Sequence, residues 1–328
     1  MKLLIVVHHR FDLWNVPGWF LINLARDFSS IDIVHRDSYE GIDSDLREAE
    51  IIFTFSLRPE QFAAAKHLRW IHAATAAVHQ FQYPSLTESG VILTNSREVH
   101  GLVVAEHVMA LIFALAKKIP QAVRLQQKRT WGQTEIWNSA VHPRDLAGST
   151  LGLIGLGSIG SRVAQMAHAS GMRIVAVRQH VEKERLPGVE EVFSFANLDA
   201  LLRQSDFVVV AAPLTTDTQG LINEQRLAAM KPSAYLINVG RGPEIDEVAL
   251  ADALRNAQIA GAALDVFEKE PLPEDSPLWD LENLLITPHT AGLSENLWRR
   301  HYDLFSDNLR RYLSKQPLRF VVDKRAGY

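Results

Sequence analysis

The chain has 328 residues, enough for about two domains of ~150 residues each, and its 47% apolar and 22% charged residues are an ordinary globular balance that sets aside disorder, collagen and coiled coil. Its 34 basic and 38 acidic residues leave a net charge of −4, so no nucleic-acid or membrane-surface partner driven by bulk charge is expected. Cysteine is absent, which removes disulfides, thiolate nucleophiles and Cys-ligated zinc together and fits a reducing, cytoplasmic setting.

In chain order, residues 3–7, 31–34, 51–55, 70–74 and 91–93 read as buried strands, separated by helical patterns at 18–28, 44–48 and 59–66. The first apolar run is too short for a signal h-region of ~7–15 residues, so a soluble, unprocessed chain is expected. Continuous apolar strands alternating with helices imply a parallel sheet covered on both faces, hence a doubly wound α/β domain over the first ~95 residues. A long apolar helix follows at 102–118, ended by Pro120, with Lys117 and Lys118 suited to the negative end of its dipole. Its longest apolar run, 108–116, is well short of the ~20 residues that span a bilayer. Residues 121–147 are polar, carry Trp131, Trp137 and Pro143, and read as irregular; such a segment is usually functional or interfacial.

A second alternating series follows. Strands are expected at 150–154, 174–177, 207–211, 235–239, 260–264 and 284–287, and helices at 159–170, 198–203, 224–230 and 247–256, before a last helix at 295–313. Its first strand runs into Gly155-Leu156-Gly157-Ser158-Ile159-Gly160, a G-x-G-x-x-G that opens a helical pattern. In that context the first glycine permits the turn, the second admits a pyrophosphate, the third lets helix approach strand, and the helix N-terminus faces the phosphates. The alternative is a strand-to-helix turn that binds nothing. At the end of the next strand, where an NAD site places an acid for the ribose hydroxyls, stands Arg178, and no acid appears before Glu182. A guanidinium there suits a 2′-phosphate and favours NADP(H) over NAD(H); a solvated arginine in a relaxed NAD site is the other reading.

Three later strand ends carry polar residues at the sheet edge where doubly wound folds bind ligands: Arg241, then Asp265 and Glu270, then His289. Reduction of a 2-oxo acid needs a cation for the carboxylate and carbonyl, a proton donor that titrates near neutrality, and a carboxylate to orient it. Arg241, His289 and Glu270 supply one of each. Singly, each is as readily a surface or structural residue. Among the 13 histidines no H-E-x-x-H or paired ligand cluster appears, so no metal is expected.

These residues sit within Ala212-Pro213-Leu214-Thr215 with Thr218, Met230-Lys231-Pro232, Asn238-Val239-Gly240-Arg241-Gly242, Ala263-Leu264-Asp265-Val266-Phe267, Glu270-Pro271-Leu272 and Pro288-His289-Thr290-Ala291-Gly292, with Val104-Ala105-Glu106-His107 on the long helix. Over nearly its whole length the chain resembles the D-isomer-specific 2-hydroxyacid dehydrogenases. The resemblance implies a Rossmann cofactor domain, residues 99–292, inserted into a flavodoxin-like substrate domain, residues 1–98 with 293–328. It implies Arg241, Glu270 and His289 as catalytic residues. Cofactor contacts would come from Gly155, Gly157, Ser158, Ile159, Gly160, Arg178, Ala212, Pro213, Thr218, Val239, Gly240, Asp265, His289, Gly292 and Val104, and substrate contacts from Ala76, Ala77, Arg241 and His289. Residues 120–147 would be a dimerisation arm that buries Trp131 and Trp137 against a second copy, with Trp137 reaching the partner's active site.

Two stretches depart from the family pattern. Ala76 and Ala77 stand where a glycine is usual in the substrate loop, narrowing the permitted φ, and His79 replaces an aspartate. Arg178 and the short interval from Glu270 to His289, with Pro277-Leu278-Trp279 between, look like the glyoxylate/hydroxypyruvate reductase branch. The expectation is an NADP(H)-dependent reductase of such small acids with D-stereochemistry. The alternatives are a dinucleotide-sensing regulator on the same fold and an NAD-dependent dehydrogenase such as phosphoglycerate dehydrogenase. The latter usually carries a C-terminal regulatory domain, and none is expected here beyond residue 328.

Overall fold

A computed structural model describes residues 1–182 and 184–327 and divides the chain into two compact units, Met1–His100 with Ser294–Tyr328, and Gly101–Leu293. The first unit is built on strands β1 (Lys2–Val6), β2 (Asp32–His35), β3 (Ile51–Thr54), β4 (Trp70–Ala73) and β5 (Ile92–Asn95), all parallel in the order β2-β1-β3-β4-β5. That order is the flavodoxin-like one. Strand periodicity sends Leu3 and Ile5 to one face and Leu4 and Val6 to the other, and both faces are covered. Helices α1 (Gly18–Asp27), α2 (Asp43–Glu48), α3 (Pro59–Ala64) and α4 (Pro84–Thr87) supply the cover, joined by the C-terminal helix Leu297–Leu313. That last helix lays Trp298, Tyr302, Phe305 and Leu309, spaced four, three and four residues apart, into a cluster with Phe20, Phe53 and Trp70.

The chain enters the second unit within α5 (Arg97–Ala116), whose composition and length would span a bilayer but whose Val104, Ala105, Val108, Ile112 and Leu115 are buried in the unit's own core. Residues 121–147, expected to be irregular, hold helical turns: α6 (Ile119–Gln127) and α7 (Gln133–Trp137). Pro120 does not simply end α5. Lys118, at φ 57°, breaks the helix, and Pro120 sits in the first turn of α6, where its missing N–H costs nothing.

The remaining elements are β6 (Thr150–Ile154), α8 (Ser158–Ala169), β7 (Arg173–Val177), β8 (Val189–Phe193), α9 (Leu198–Gln204), β9 (Phe207–Val210), α10 (Glu224–Ala229), β10 (Tyr235–Asn238), α11 (Glu247–Arg255), β11 (Gly261–Leu264) and β12 (Leu284–Ile286). Seven parallel strands run β12-β11-β10-β9-β6-β7-β8, so the order reverses at β6, beside the glycine turn. Strand β8 has no counterpart in the sequence reading. It is an edge strand paired only with β7, and its Glu190 and Glu191 are exposed, so it lacks the apolar run that marks the inner strands. Inside, Leu151, Leu153, Phe207 and Val209 face one cluster and Ile154, Val208 and Val210 the other.

Candidate active site

The glycine turn leaves β6 with Gly155 at φ 102°, and a Cβ there would meet the Ala211 carbonyl oxygen at 2.8 Å. A Cβ on Gly160 would lie 2.0 Å from the Gly155 oxygen, so α8 sits against the strand end as only glycine allows, whereas Gly157 faces open space. The first-turn N–H groups of Ser158, Ile159 and Gly160 have no place in the α8 ladder, and no acid lies in that turn. This turn therefore fits a pyrophosphate: it is open where the phosphates would approach and closed where the helix must pack. Arg178 follows β7 directly, its Nη2 donating to the Glu184 carbonyl at 3.1 Å and its backbone N–H to Phe193. Ala212 is buried and Pro213 exposed after β9, and the Thr218 hydroxyl donates to the Pro213 carbonyl at 2.7 Å while accepting from Thr215 N–H at 2.8 Å. Thr218 thus spends its side chain on the shape of this turn.

Arg241 stands two residues beyond Val239, which follows β10. The buried Asn238 side chain fixes the turn, donating to the Arg241 carbonyl at 3.0 Å and accepting from Gly240 N–H at 2.9 Å. A Cβ on Gly242 would fall 1.9 Å from the Phe267 carbonyl carbon, so the backbone after Arg241 lies directly on the segment leading to Glu270. The guanidinium donates to the Gly240 carbonyl at 2.6 Å. Burial lowers the Arg241 pKa from its ordinary value, against the charges of Glu244 and then Glu270.

Glu270 and His289 meet. The His289 Nδ1–H donates to Glu270 Oε2 at 2.6 Å, and the other carboxylate oxygen accepts Phe267 N–H at 3.0 Å. Burial pushes the Glu270 carboxyl up, but the His289 and Phe267 hydrogen bonds and the charges of His289 and Arg241 outweigh it and hold it below its ordinary value. A carboxylate accepts only, so Nδ1 carries the hydrogen and Nε2 is left for other work. His289 itself adopts φ 53°, an uncommon conformation for a side-chain-bearing residue.

Asp265 holds it there. This carboxylate, 1% exposed, accepts from the Thr287 hydroxyl at 2.6 Å, Thr290 N–H at 2.9 Å and Ala291 N–H at 3.0 Å, while the Asp265 carbonyl accepts His289 N–H at 2.9 Å. With its only hydrogen given to Asp265, Thr287 accepts from His107 Nε2 at 3.1 Å. The sequence reading gave Asp265 a cofactor role alone and passed over Asn238, Thr287 and His107. A polar residue ending each of three neighbouring strands was the available signal. Val104 is 6% exposed within the apolar cluster that includes Val239 and Ala291, and Gly292 follows Ala291 on the same turn.

Ala76 and Ala77 lie in the first unit, after β4. Neither has positive φ, so alanine is not strained there. The Ala76 carbonyl accepts from Asn95 Nδ2 at 2.8 Å and the Ala77 carbonyl from the Thr75 hydroxyl, while His79 opens a one-turn 3₁₀ helix. Among the described residues no group of three or more histidines, aspartates and glutamates is arranged to hold a metal.

Residues 109–291 match the family model described as D-isomer specific 2-hydroxyacid dehydrogenase, NAD binding domain. The chain belongs to this family. It is 39% identical over 253 residues to a glyoxylate/hydroxypyruvate reductase B of Pectobacterium carotovorum, covering 75% of this chain and 76% of that one. It is 36% identical over 290 residues to a D-3-phosphoglycerate dehydrogenase of Synechocystis, covering 84% of this chain but only about half, 50%, of that longer relative. An NADPH-dependent glyoxylate/hydroxypyruvate reductase of Sinorhizobium meliloti, solved with NADP and sulfate, superimposes with a TM-score of 0.84 at 28% identity over 100% of both chains. All three relatives are named as oxidoreductases, which favours catalysis over a regulatory role.

Proposed function

We propose that this protein reduces small 2-oxo acids of the glyoxylate or hydroxypyruvate type to D-2-hydroxy acids, with NADP(H) as the preferred cofactor. The observation that carries the reading is the 2.6 Å hydrogen bond between His289 and Glu270 on a sheet edge that also bears Arg241. The glycine turn would hold a nicotinamide cofactor, which would supply the hydride. Ser158, Ile159 and Gly160 would hold its pyrophosphate, and Ala212, Pro213, Val239, Gly240, Gly292 and Val104 would line the rest of its site. Arg241 binds the substrate carboxylate and polarises the adjacent carbonyl. His289 gives the proton from Nε2 to the carbonyl oxygen, and Glu270 stabilises the imidazolium that does so. Asp265 positions His289 by holding the 287–291 turn. The named activities of the Pectobacterium and Sinorhizobium relatives support the substrate class.

Arg178 is proposed as the 2′-phosphate ligand. The phosphoglycerate dehydrogenase relative makes this the part most in need of a test. Arg178→Asp should lower the ratio of kcat/KM with NADPH to that with NADH by about 10–100-fold, the worth of a charge-assisted hydrogen bond; an unchanged ratio removes Arg178 from the site.

Glu270→Gln tests the pair. Glu270 is held below its ordinary value and so is ionised through the neutral range. Losing that charge disfavours imidazolium, so the alkaline limb of the kcat/KM profile for reduction should move to lower pH. A profile that stays in place contradicts the role.

We propose further that the protein works as a homodimer in a reducing, cytoplasmic compartment. Helix α6 buries none of its side chains, and Trp131 and Trp137 are 92% and 61% exposed, which supports a covering partner on this arm. A monomer by light scattering would remove this part.

A further inference from the structure

Next to Arg241 the fold buries a second carboxyl that the reduction chemistry does not use. Glu244 ends the one-turn segment Gly242–Glu244 and is 0% exposed. Its Oε2 accepts Arg241 N–H at 2.6 Å, and its Oε1 has no hydrogen-bond partner. No cationic side chain lies within 4.0 Å of it among the described residues. Its Oε2 lies 2.1 Å from where a Cβ on Gly240 would stand, so the carboxyl fills the side-chain space of the residue whose carbonyl anchors the Arg241 guanidinium.

An ionised carboxylate in that position is costly, since it is dehydrated and only one of its oxygens is satisfied. Burial pushes Glu244 up to about 8, against the Arg241 N–H and the Arg241 charge. Neighbouring segments bring other titratable groups: Asp217 from the loop after β9, Asp246 and Glu247 at the start of α11, and Glu268, Lys269 and Glu270 after β11. Arg241 is the one whose charge acts on Glu244, and Glu270 acts in turn on Arg241.

We propose that Glu244 is a proton-linked positioning residue, which in mildly alkaline solution takes up a proton from solvent when Arg241 engages an anionic substrate and releases it when the substrate leaves. This rests on the reading of Arg241 as the carboxylate anchor. The reasoning is electrostatic. The Arg241 charge acts on Glu244 without a direct ion pair and, in the complex, acts on the substrate carboxylate as well. Once the guanidinium charge is committed to substrate, an ionised Glu244 loses its compensation, and protonation becomes the less costly state. Binding therefore favours the protonated form, so affinity is full below the free-enzyme value and falls as pH rises through it, by at most about tenfold per pH unit.

The test is calorimetric titration of oxalate, a non-reducible analogue of a 2-oxo acid, into the NADP-loaded protein. Two buffers of different protonation enthalpy at about pH 6 and about pH 8 give the protons taken up. Glu244→Gln keeps an acceptor for Arg241 N–H but cannot titrate. Wild type should take up more protons than Glu244→Gln at about pH 8, and the same number at about pH 6. Uptake common to both proteins drops out of the comparison. Glu244→Leu provides the same comparison if the glutamine variant does not fold. Equal uptake at about pH 8, with oxalate binding retained, overturns the role of Glu244 and leaves Arg241 in place. Oxalate that fails to bind wild type at all overturns the Arg241 reading and this inference with it.

Discussion

His289→Ala is expected to lower kcat for 2-oxo acid reduction by about 10²–10⁴-fold, the usual worth of a positioned general acid. The carbonyl oxygen gains charge as the substrate is reduced, and without an imidazolium beside it the proton must come from water. Cofactor binding should survive, because the 287–291 turn is held by the Asp265 carboxylate through Thr287, Thr290 and Ala291 and not by the imidazole. The signature is thus a loss in kcat with NADPH affinity, read by nicotinamide fluorescence, near that of wild type. Turnover within a few-fold of wild type removes His289 as the acid.

Arg241→Gln is expected to lower kcat/KM by about 10²–10³-fold, as removal of one preorganised donor to a developing oxyanion does. The effect should fall on both constants: KM rises because the substrate carboxylate loses a charged partner, and kcat falls because the carbonyl is no longer polarised. Arg241→Lys should recover little, since an ammonium cannot reproduce the planar fork of a guanidinium. The backbone should hold in either variant, because Asn238 and Gly242 fix the turn through main-chain contacts. A variant with unchanged KM and kcat contradicts the anchor role.

How far such a site can be read from sequence depends on what the residue leans on. The strand ends carrying Arg241, Asp265 and His289 are legible because each follows a continuous apolar run, and runs buried on both faces are the mark of a parallel sheet. The glycine turn is legible because the turn itself, at positive φ against Ala211, demands glycine at Gly155, and close approach of helix to strand demands it at Gly160. Elements without such a demand escape. Strand β8 is an exposed edge whose glutamates break the pattern, and α6 carries in its first turn a proline that reads as a stop until Lys118 is seen to break the helix first. Long-range polar partnerships escape for a different reason. The Asp265–Thr287–His107 chain joins residues up to 180 positions apart, and the full burial of Glu244 follows from the packing of its neighbours, which no local spacing encodes. Ala76 and Ala77 narrow the φ open to the loop relative to glycine, yet neither needs a positive φ, and side-chain hydrogen bonds reach both of their carbonyls.

The most direct test of the central claim is turnover by the purified chain. Absorbance of NADPH is followed with glyoxylate, hydroxypyruvate and other small 2-oxo acids, and the product of hydroxypyruvate is resolved by chiral chromatography. The account predicts catalytic NADPH oxidation, fastest with glyoxylate or hydroxypyruvate, and a D-configured product. No oxidation of either nicotinamide cofactor with any small 2-oxo acid would contradict it.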